Sequence, residues 1–168
     1  MKTINVGLVG ITGYAGMELA RLLAGHPAMR LAMACSRAEA GKRLGEFYPF
    51  LEHMPGADVV ISVFEPKEAA QHCDLVFLAV PAGTAMDMAG PLLDAGVHIY
   101  EYTPGFIHAK NFVVDGRFAT VGTVNLDYRS LYLHFENSVL LYGGAVLDDV
   151  RRDLAEIEKE SAAVTLAD

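Results

Sequence analysis

The sequence predicts an α/β fold, a three-layer Rossmann-like parallel sheet extended by antiparallel strands. Three observations carry that prediction. Strand-like and helix-like segments alternate up to about residue 102, which builds a parallel sheet with helices on its faces. A glycine trio, Gly10, Gly13 and Gly16, stands between the first strand and the first helix. Beyond residue 103 short extended runs follow one another across tight turns, the habit of antiparallel sheet.

Residues 4–9, INVGLV, are a compact apolar strand, and MELARLLAGH follows with apolar residues at helical spacing. LAMACS is the second strand; AEAGKRLGEFYPFLEHMPGA is turn-rich and irregular. VVISVF and LVFLAV read as buried strands with the short helix EPKEAAQ between them. Thr84 is placed to cap a helix running to Ala95, with Gly96 beyond its end. Pro91 inside that helix predicts a kink or a late start. VHIYEY is the next strand. KNFVVD, Gly116 and FATVGTV form two strands joined by a tight turn, and LYLHFENSVLLY is extended with a break near Glu136-Asn137. The last helix covers roughly 145–160, with Asp148 and Asp149 near its positive end and an apolar stripe of Leu147, Val150, Leu154 and Ile157.

No internal repeat or low-complexity linker interrupts the chain, and the change of style near residue 100 falls inside a strand. The 168 residues therefore read as a single α/β domain, with a Rossmann-like part over 1–97 and a second part over 98–168. Hydrophobic content of 52% suffices for a core. No apolar run approaches the roughly 18 residues that span a bilayer, and no signal segment opens the chain, so a soluble, cytoplasmic protein without a transmembrane segment is expected. A net charge of −8 with no basic block argues against nucleic acid and against docking on anionic lipid. Cys35 and Cys73 lack metal spacing and any CxxC pattern, so both read as buried thiols and no metal is expected.

Gly10-Ile-Thr12-Gly13-Tyr14-Ala-Gly16 follows a strand and opens a helix. There, glycines let the backbone turn tightly and approach a pyrophosphate, which the helix N-terminus stabilises; a tight turn holding no ligand is the alternative. Ser36 and Arg37 close the second strand where an acidic residue would bind a free ribose hydroxyl. Hydroxyl and guanidinium suit a 2′-phosphate, which favours NADP over NAD; Arg37 as a solvated surface charge is the alternative.

GITGYAGMELARLLAGHP, CSRAEAGKRLGEFYPFL and CDLVFLAVPAGTAMDMAGPLLDAGV resemble the N-terminal half of N-acetyl-gamma-glutamyl-phosphate reductase over roughly residues 3–97. The resemblance implies an NADP site lined by Gly10, Thr12, Gly13, Tyr14, Gly16, Ser36 and Arg37. Ala82 stands where that family usually has His. The family's nucleophilic cysteine, in a Gly-Cys-Tyr-Pro-Thr setting, has no counterpart at Cys35 or Cys73. The expectation is nucleotide binding without a functional reductase.

The second part carries different chemistry. His108 and Lys110 are two apart on a segment expected to be extended, so both side chains leave one face, and Thr123, Asn125 and Asp127 share a face likewise. A histidine nucleophile beside an ammonium and an amide suits attack on phosphorus with the charged oxygens held. Such a histidine needs a carboxylate on its other nitrogen, for which Glu136 is the candidate. The stretch IYEYTPGFIHAKNFVVDGRFATVGTVNLDYRSLYLHFENSVLLY resembles the second HKD half of the phospholipase D superfamily, and most closely bacterial cardiolipin synthases. By that resemblance His108 forms a phosphohistidine, Lys110, Thr123 and Asn125 hold phosphate, Glu136 orients the histidine, and Asp115 belongs to the motif while tying the hairpin together. Family enzymes set two such motifs face to face, so a single copy implies a homodimer.

The two resemblances meet at LLDAGVHIYEY, and the chain reads as a chimera, engineered, computationally generated or recombinant. Three functions follow. One is a dimeric phosphodiesterase or phosphatidyltransferase acting on a phosphodiester or phospholipid through His108, the best specified of the three. Another is an NADP-binding module without catalysis. The last is a folded hybrid with neither activity.

Overall fold

In the computed structural model residues 3–165 are described, and they form two compact units, one up to Ala95 and one from Gly96 onward. The N-terminal unit runs β1 (Ile4–Val9), α1 (Tyr14–Ala24), β2 (Met29–Cys35), α2 (Leu44–Phe47), a 3-10 turn (Pro49–Leu51), β3 (Ile61–Ser62), α3 (Pro66–His72), β4 (Leu75–Leu78), α4 (Ala82–Asp87) and α5 (Ala89–Asp94). Its sheet is wholly parallel in the order β3-β2-β1-β4. The chain steps outward from β1 through β2 to β3, then returns to add β4 on the other side. That reversal leaves a crevice at the carboxyl ends of β1 and β4, where doubly wound sheets bind ligands.

Apolar patterning explains the core. Val6 and Leu8 of β1 are fully buried, as are Ile11 just beyond it and Ile61 of β3. Leu19, Ala20, Leu23 and Ala24 form the stripe that α1 turns toward the sheet. Leu44 and Leu51 anchor the turn-rich segment to the same cluster. Burying each large side chain contributes about 1.5–3 kcal/mol, so these residues hold the glycine turn on a firm support.

Several local expectations change. VVISVF keeps only Ile61–Ser62 as a strand; Val60 bridges Arg43 instead, and both Val60 and Val63 are exposed. The helix expected to run to Ala95 is broken at Met88 into α4 and α5. Pro91 has no N–H to give the Asp87 carbonyl, so the helix cannot continue through that turn. Thr84 lies inside α4, whose N-cap is Pro81.

The C-terminal unit contains β5 (Tyr100–Tyr102), β6 (Phe112–Val114), β7 (Phe118–Gly122), α6 (Tyr128–Tyr132), β8 (Ser138–Tyr142), α7 (Val146–Lys159) and β9 (Ser161–Ala163). All its pairings are antiparallel: β6-β7-β8 form one sheet and β5-β9 another. The predicted class, an α/β fold with a parallel sheet plus antiparallel strands, is thus present, the antiparallel strands pairing among themselves. VHIYEY was expected to continue the parallel sheet; its strand β5 meets its backbone hydrogen-bonding needs on β9, a strand the sequence pattern did not signal. LYLHFENSVLLY is extended only from Ser138, since Leu131 and Tyr132 close the short helix α6. The β6-β7 hairpin turns on Asp115 and Gly116, with φ of 51° and 63°. Two successive positive φ values match the twist of antiparallel strands. Among the described residues no helix is long and apolar enough to cross a membrane.

Candidate functional site

The crevice of the N-terminal unit is a cleft of about 470 Å³ lined by residues just past the carboxyl ends of its strands. Gly10, Thr12 and Gly13 come from the β1-α1 turn, Ser36 and Arg37 from the end of β2, and Val80, Thr84 and Asp87 from the segment after β4. Gly10 has φ 89°, and a Cβ there would sit 2.2 Å from the Ala79 carbonyl oxygen. A Cβ on Gly16 would fall 2.2 Å from the Gly10 oxygen. These two glycines let the turn pass against the β4 segment and let α1 rest on the turn. Gly16 is therefore a packing residue, buried and outside the cleft lining.

α1 begins at Gly13 with no side-chain cap and no acidic residue in its first turn. Its N-terminal N–H groups form the positive end of the helix dipole. Arg37 is exposed at the cleft and, among the described residues, forms no ion pair. The cleft thus offers two separated positive features, a helix end and a guanidinium. Cys35 forms part of the wall, but burial pushes its thiol up from the usual range, and burial does the same at Cys73. Thiols in such settings stay protonated and weakly nucleophilic near neutral pH. Cys35 is buried as expected, whereas Cys73 is half-buried.

Of the residues assigned from sequence, Gly10, Thr12, Gly13, Ser36 and Arg37 come together around the cleft, while Tyr14 projects outward at 86% exposure. Thr84, read from sequence only as a helix cap, also lines it, as do Asp87 and Met88. Their place after β4, on the far side of the switch point, was the signal available.

The second set of residues lies in the C-terminal unit. Asn125 donates to the Ser130 hydroxyl (3.3 Å), which donates to Glu136 (3.0 Å), and the His134 ring nitrogen lies 3.3 Å from the same carboxylate oxygen. Asp127 accepts from the Ser130 N–H at 2.7 Å and so caps α6. Burial pushes the Glu136 carboxyl up, but hydrogen bonds from Ser130, His134 and Thr123 and the attraction of His134 outweigh it, holding the group below the usual carboxylate range. Ser130 thus joins Asn125 to Glu136, and His134 lies against the same carboxylate; the sequence pattern points to neither Ser130 nor His134. Ser130 was marked only by its place in the helix-start run LDYRS.

His108 is not part of that group. It is exposed on a segment outside any strand, and among the described residues Glu136 makes no hydrogen bond to it. Lys110 folds its ammonium back onto the His108 carbonyl at 2.7 Å. Residues 104–111 lie outside any strand; the Lys110 N–H donates to the Gly122 carbonyl at 2.7 Å, and the Asn111 side-chain oxygen accepts from the Gly122 N–H at 3.2 Å. Asp115 lies in the hairpin turn.

Comparison with known proteins gives two matches of different extent. The model of the semialdehyde dehydrogenase NAD binding domain matches residues 5–115, and that of the cardiolipin synthase PLD-like domain matches residues 78–157. N-acetyl-gamma-glutamyl-phosphate reductase of Halorhodospira halophila is 48% identical over 103 residues, covering 61% of this chain and 29% of the reductase. An uncharacterized protein of Streptococcus mutans is 52% identical over 86 residues, covering 51% of this chain and 19% of that protein. Aspartate semialdehyde dehydrogenase with NADP from Candida albicans is 27% identical with a TM-score of 0.49, covering 57% of this chain and 28% of that one. The chain spans less than a third of the length of these relatives. With a family model covering residues 5–115 of its 168, the chain belongs to the semialdehyde dehydrogenase NAD-binding-domain family.

Proposed function

We propose that the N-terminal unit binds a dinucleotide, NADP in preference to NAD, and that its own residues bind without catalysing reduction. The observation that carries this is the cleft at the switch point, where the start of α1, without a side-chain cap, and Arg37, without an ion pair among the described residues, stand at two places. The helix N-terminus and the N–H groups of the glycine turn receive the pyrophosphate. Ser36 and Arg37 receive the 2′-phosphate, the guanidinium offering paired donors. A bound nicotinamide supplies hydride chemistry, but Cys35 and Cys73, both held protonated, offer no thiolate for a thioester. Fluorescence titration tests the reading: NADPH saturates the protein and NADH binds at least about tenfold more weakly. No saturable signal with either would refute it.

A second reading is supported by the cardiolipin synthase-like match over residues 78–157 and by the Asn125-Ser130-Glu136 chain. In it the chain is a soluble, cytoplasmic hybrid of two ancestries joined near LLDAGVHIYEY, a junction inside the segment 78–115 that both family models cover. Its C-terminal unit then supplies half of a phosphodiesterase site, and two copies unite two His108 residues, one attacking phosphorus and one protonating the leaving oxygen. Lys110, Thr123 and Asn125 hold the phosphoryl oxygens, and Lys110 must first release the His108 carbonyl. Turnover of a chromogenic phosphodiester in the dimeric fraction, lost in His108→Ala, is the expected result. Equal rates for the two proteins, or a strictly monomeric chain by light scattering, dispose of it.

A further inference from the structure

We infer that Tyr48 is a positioning residue for the nucleotide site, its hydroxyl fixing the peptide plane that presents the Thr12 N–H to the pyrophosphate. This rests on the dinucleotide reading and adds a residue to it that belongs to neither the glycine turn nor the strand ends. The Tyr48 hydroxyl donates to the Ile11 carbonyl oxygen at 2.8 Å. Around it the turn is already committed: Gly10 and Ile11 N–H both donate to the Cys35 carbonyl (3.0 and 3.2 Å), and Gly13 N–H donates to the Gly10 carbonyl (3.1 Å). The Thr12 N–H donates no hydrogen bond among the described residues, and Thr12 lines the cleft. The Ile11 C=O and the Thr12 N–H belong to one planar peptide and point in opposite directions across it. Holding the oxygen toward Tyr48 therefore holds the Thr12 N–H on the side away from Tyr48.

Tyr48 can do this because its own position is set independently of the turn. Leu44 and Leu51, on either side of it, are each 1% exposed in the core. The Tyr48 N–H donates to the Leu44 carbonyl and its carbonyl accepts from Leu51 N–H, both at 2.8 Å. Arg43 pairs with Asp58 at 2.7 Å and Glu52 at 3.4 Å, tying the ends of the segment together. The ring packs edge-on against Phe47 at 4.6 Å and beside Phe50 at 5.4 Å. Burial pushes the phenol pKa up, so the hydroxyl remains a donor through the neutral range. The turn-rich segment with no function evident from its sequence is thus a brace for the glycine turn.

Tyr48→Phe keeps the ring and deletes only the hydroxyl. Titration of the full chain with NADPH is compared with titration by adenosine 2′-monophosphate, which keeps the phosphate facing Arg37 and lacks the pyrophosphate. The variant binds NADPH about tenfold more weakly, a change of about 1.4 kcal/mol, and binds the monophosphate as the parent does. Equal weakening of both ligands indicates general loosening and overturns the inference, as does unchanged NADPH affinity. In the ligand-free protein the Thr12 amide resonance shifts in the variant while those of Leu23 and Ala24, at the far end of α1, stay in place. An unmoved Thr12 amide also overturns it. Should the parent chain bind no NADPH, the dinucleotide reading and the nucleotide role of Tyr48 fall together, and the amide shift separately decides whether the hydroxyl sets the turn.

Discussion

The two units of this chain place their candidate residues on very different foundations. In the N-terminal unit the residues that flank the cleft continue directly from strands whose side chains are buried, Val6 and Leu8 before Gly10, Ala34 and Cys35 before Ser36. In the C-terminal unit Ala119 and Leu147 are the buried apolar side chains among the described residues. Phe112, Val114, Phe118, Leu140 and Tyr142 share one face of the β6-β7-β8 sheet by their pairing, and each is at least 43% exposed. A packed core transmits position to a site because its side chains interdigitate with few voids. The comparison teaches that a motif's completeness in sequence and its organisation in space are separate matters. The histidine-lysine motif is the more specific of the two in sequence, yet the glycine turn is the one that stands on a packed core.

Breaking the better-founded site should give the largest effect. Gly10→Ala puts a Cβ against the Ala79 carbonyl at a φ of 89°, where neither backbone can give way cheaply. We expect a loss of at least about 3 kcal/mol of stability, together with NADPH binding. Gly25→Ala is the control, since nothing lies within 4 Å of its Cβ position and its φ is −101°. It should stay within about 0.5 kcal/mol of the parent by chemical denaturation. Similar losses in the two variants would mean that the turn is not tightly packed on the β4 segment.

Arg37→Ala comes next in size and touches recognition alone. Arg37 is exposed and forms no ion pair among the described residues, so its removal should cost the fold little. NADPH affinity should fall about tenfold while NADH affinity is unchanged, because the missing contact is to the 2′-phosphate. Equal falls for the two nucleotides would move Arg37 to another part of the ligand.

How much was legible in the sequence follows the same division. INVGLV became β1 over the residues expected, and the glycine trio fell where strand and helix meet, because local apolar runs and turn chemistry fix those elements without help from afar. The final helix is likewise written in its own stripe, and appears as Val146–Lys159. What could not be read depends on partners distant along the chain. The pairing of β5 with β9 joins residues 100–102 to residues 161–163, and no local pattern announces it. The need of a nucleophilic histidine for a carboxylate, and the motif, both point Glu136 toward His108, whereas its hydrogen bonds follow from the proximity of Ser130 and His134 around α6. Tyr48 was invisible for the same reason, its bond to Ile11 crossing 37 residues.

Asp115 offers a smaller test of whether the C-terminal motif residues are chemical or architectural. Its φ of 51° lies in the left-handed region, which costs an ordinary L-residue about 1–2 kcal/mol and is tolerated best by Gly, Asn and Asp. Asp115→Ala should therefore lower stability by about 1 kcal/mol, whereas Asp115→Asn should leave it nearly unchanged. Any phosphodiesterase turnover should survive Asp115→Asn. A stable Asp115→Asn protein that had lost turnover would return the carboxylate to the chemistry.

The smallest effect, and the one most specific to the C-terminal unit, is a change in pH dependence at Glu136. Its carboxyl titrates below the ordinary value of 4.5 in the folded chain, with burial opposed by Ser130, His134 and Thr123. A group whose folded pKa is depressed contributes stability that is present above its unfolded pKa and is lost as pH falls through the folded pKa. Acidification should therefore remove a contribution that Glu136→Gln never had. The amide oxygen can still accept from Ser130, so the variant folds and retains that bond while losing the titration. Denaturation midpoints measured between about pH 6 and about pH 3 should fall more steeply for the parent than for the variant, the gap closing at the acid end. Parallel curves would show that the Ser130-Glu136-His134 cluster is loosely held in solution, leaving the hairpin turn and Leu147 as the main constraints on this unit's geometry.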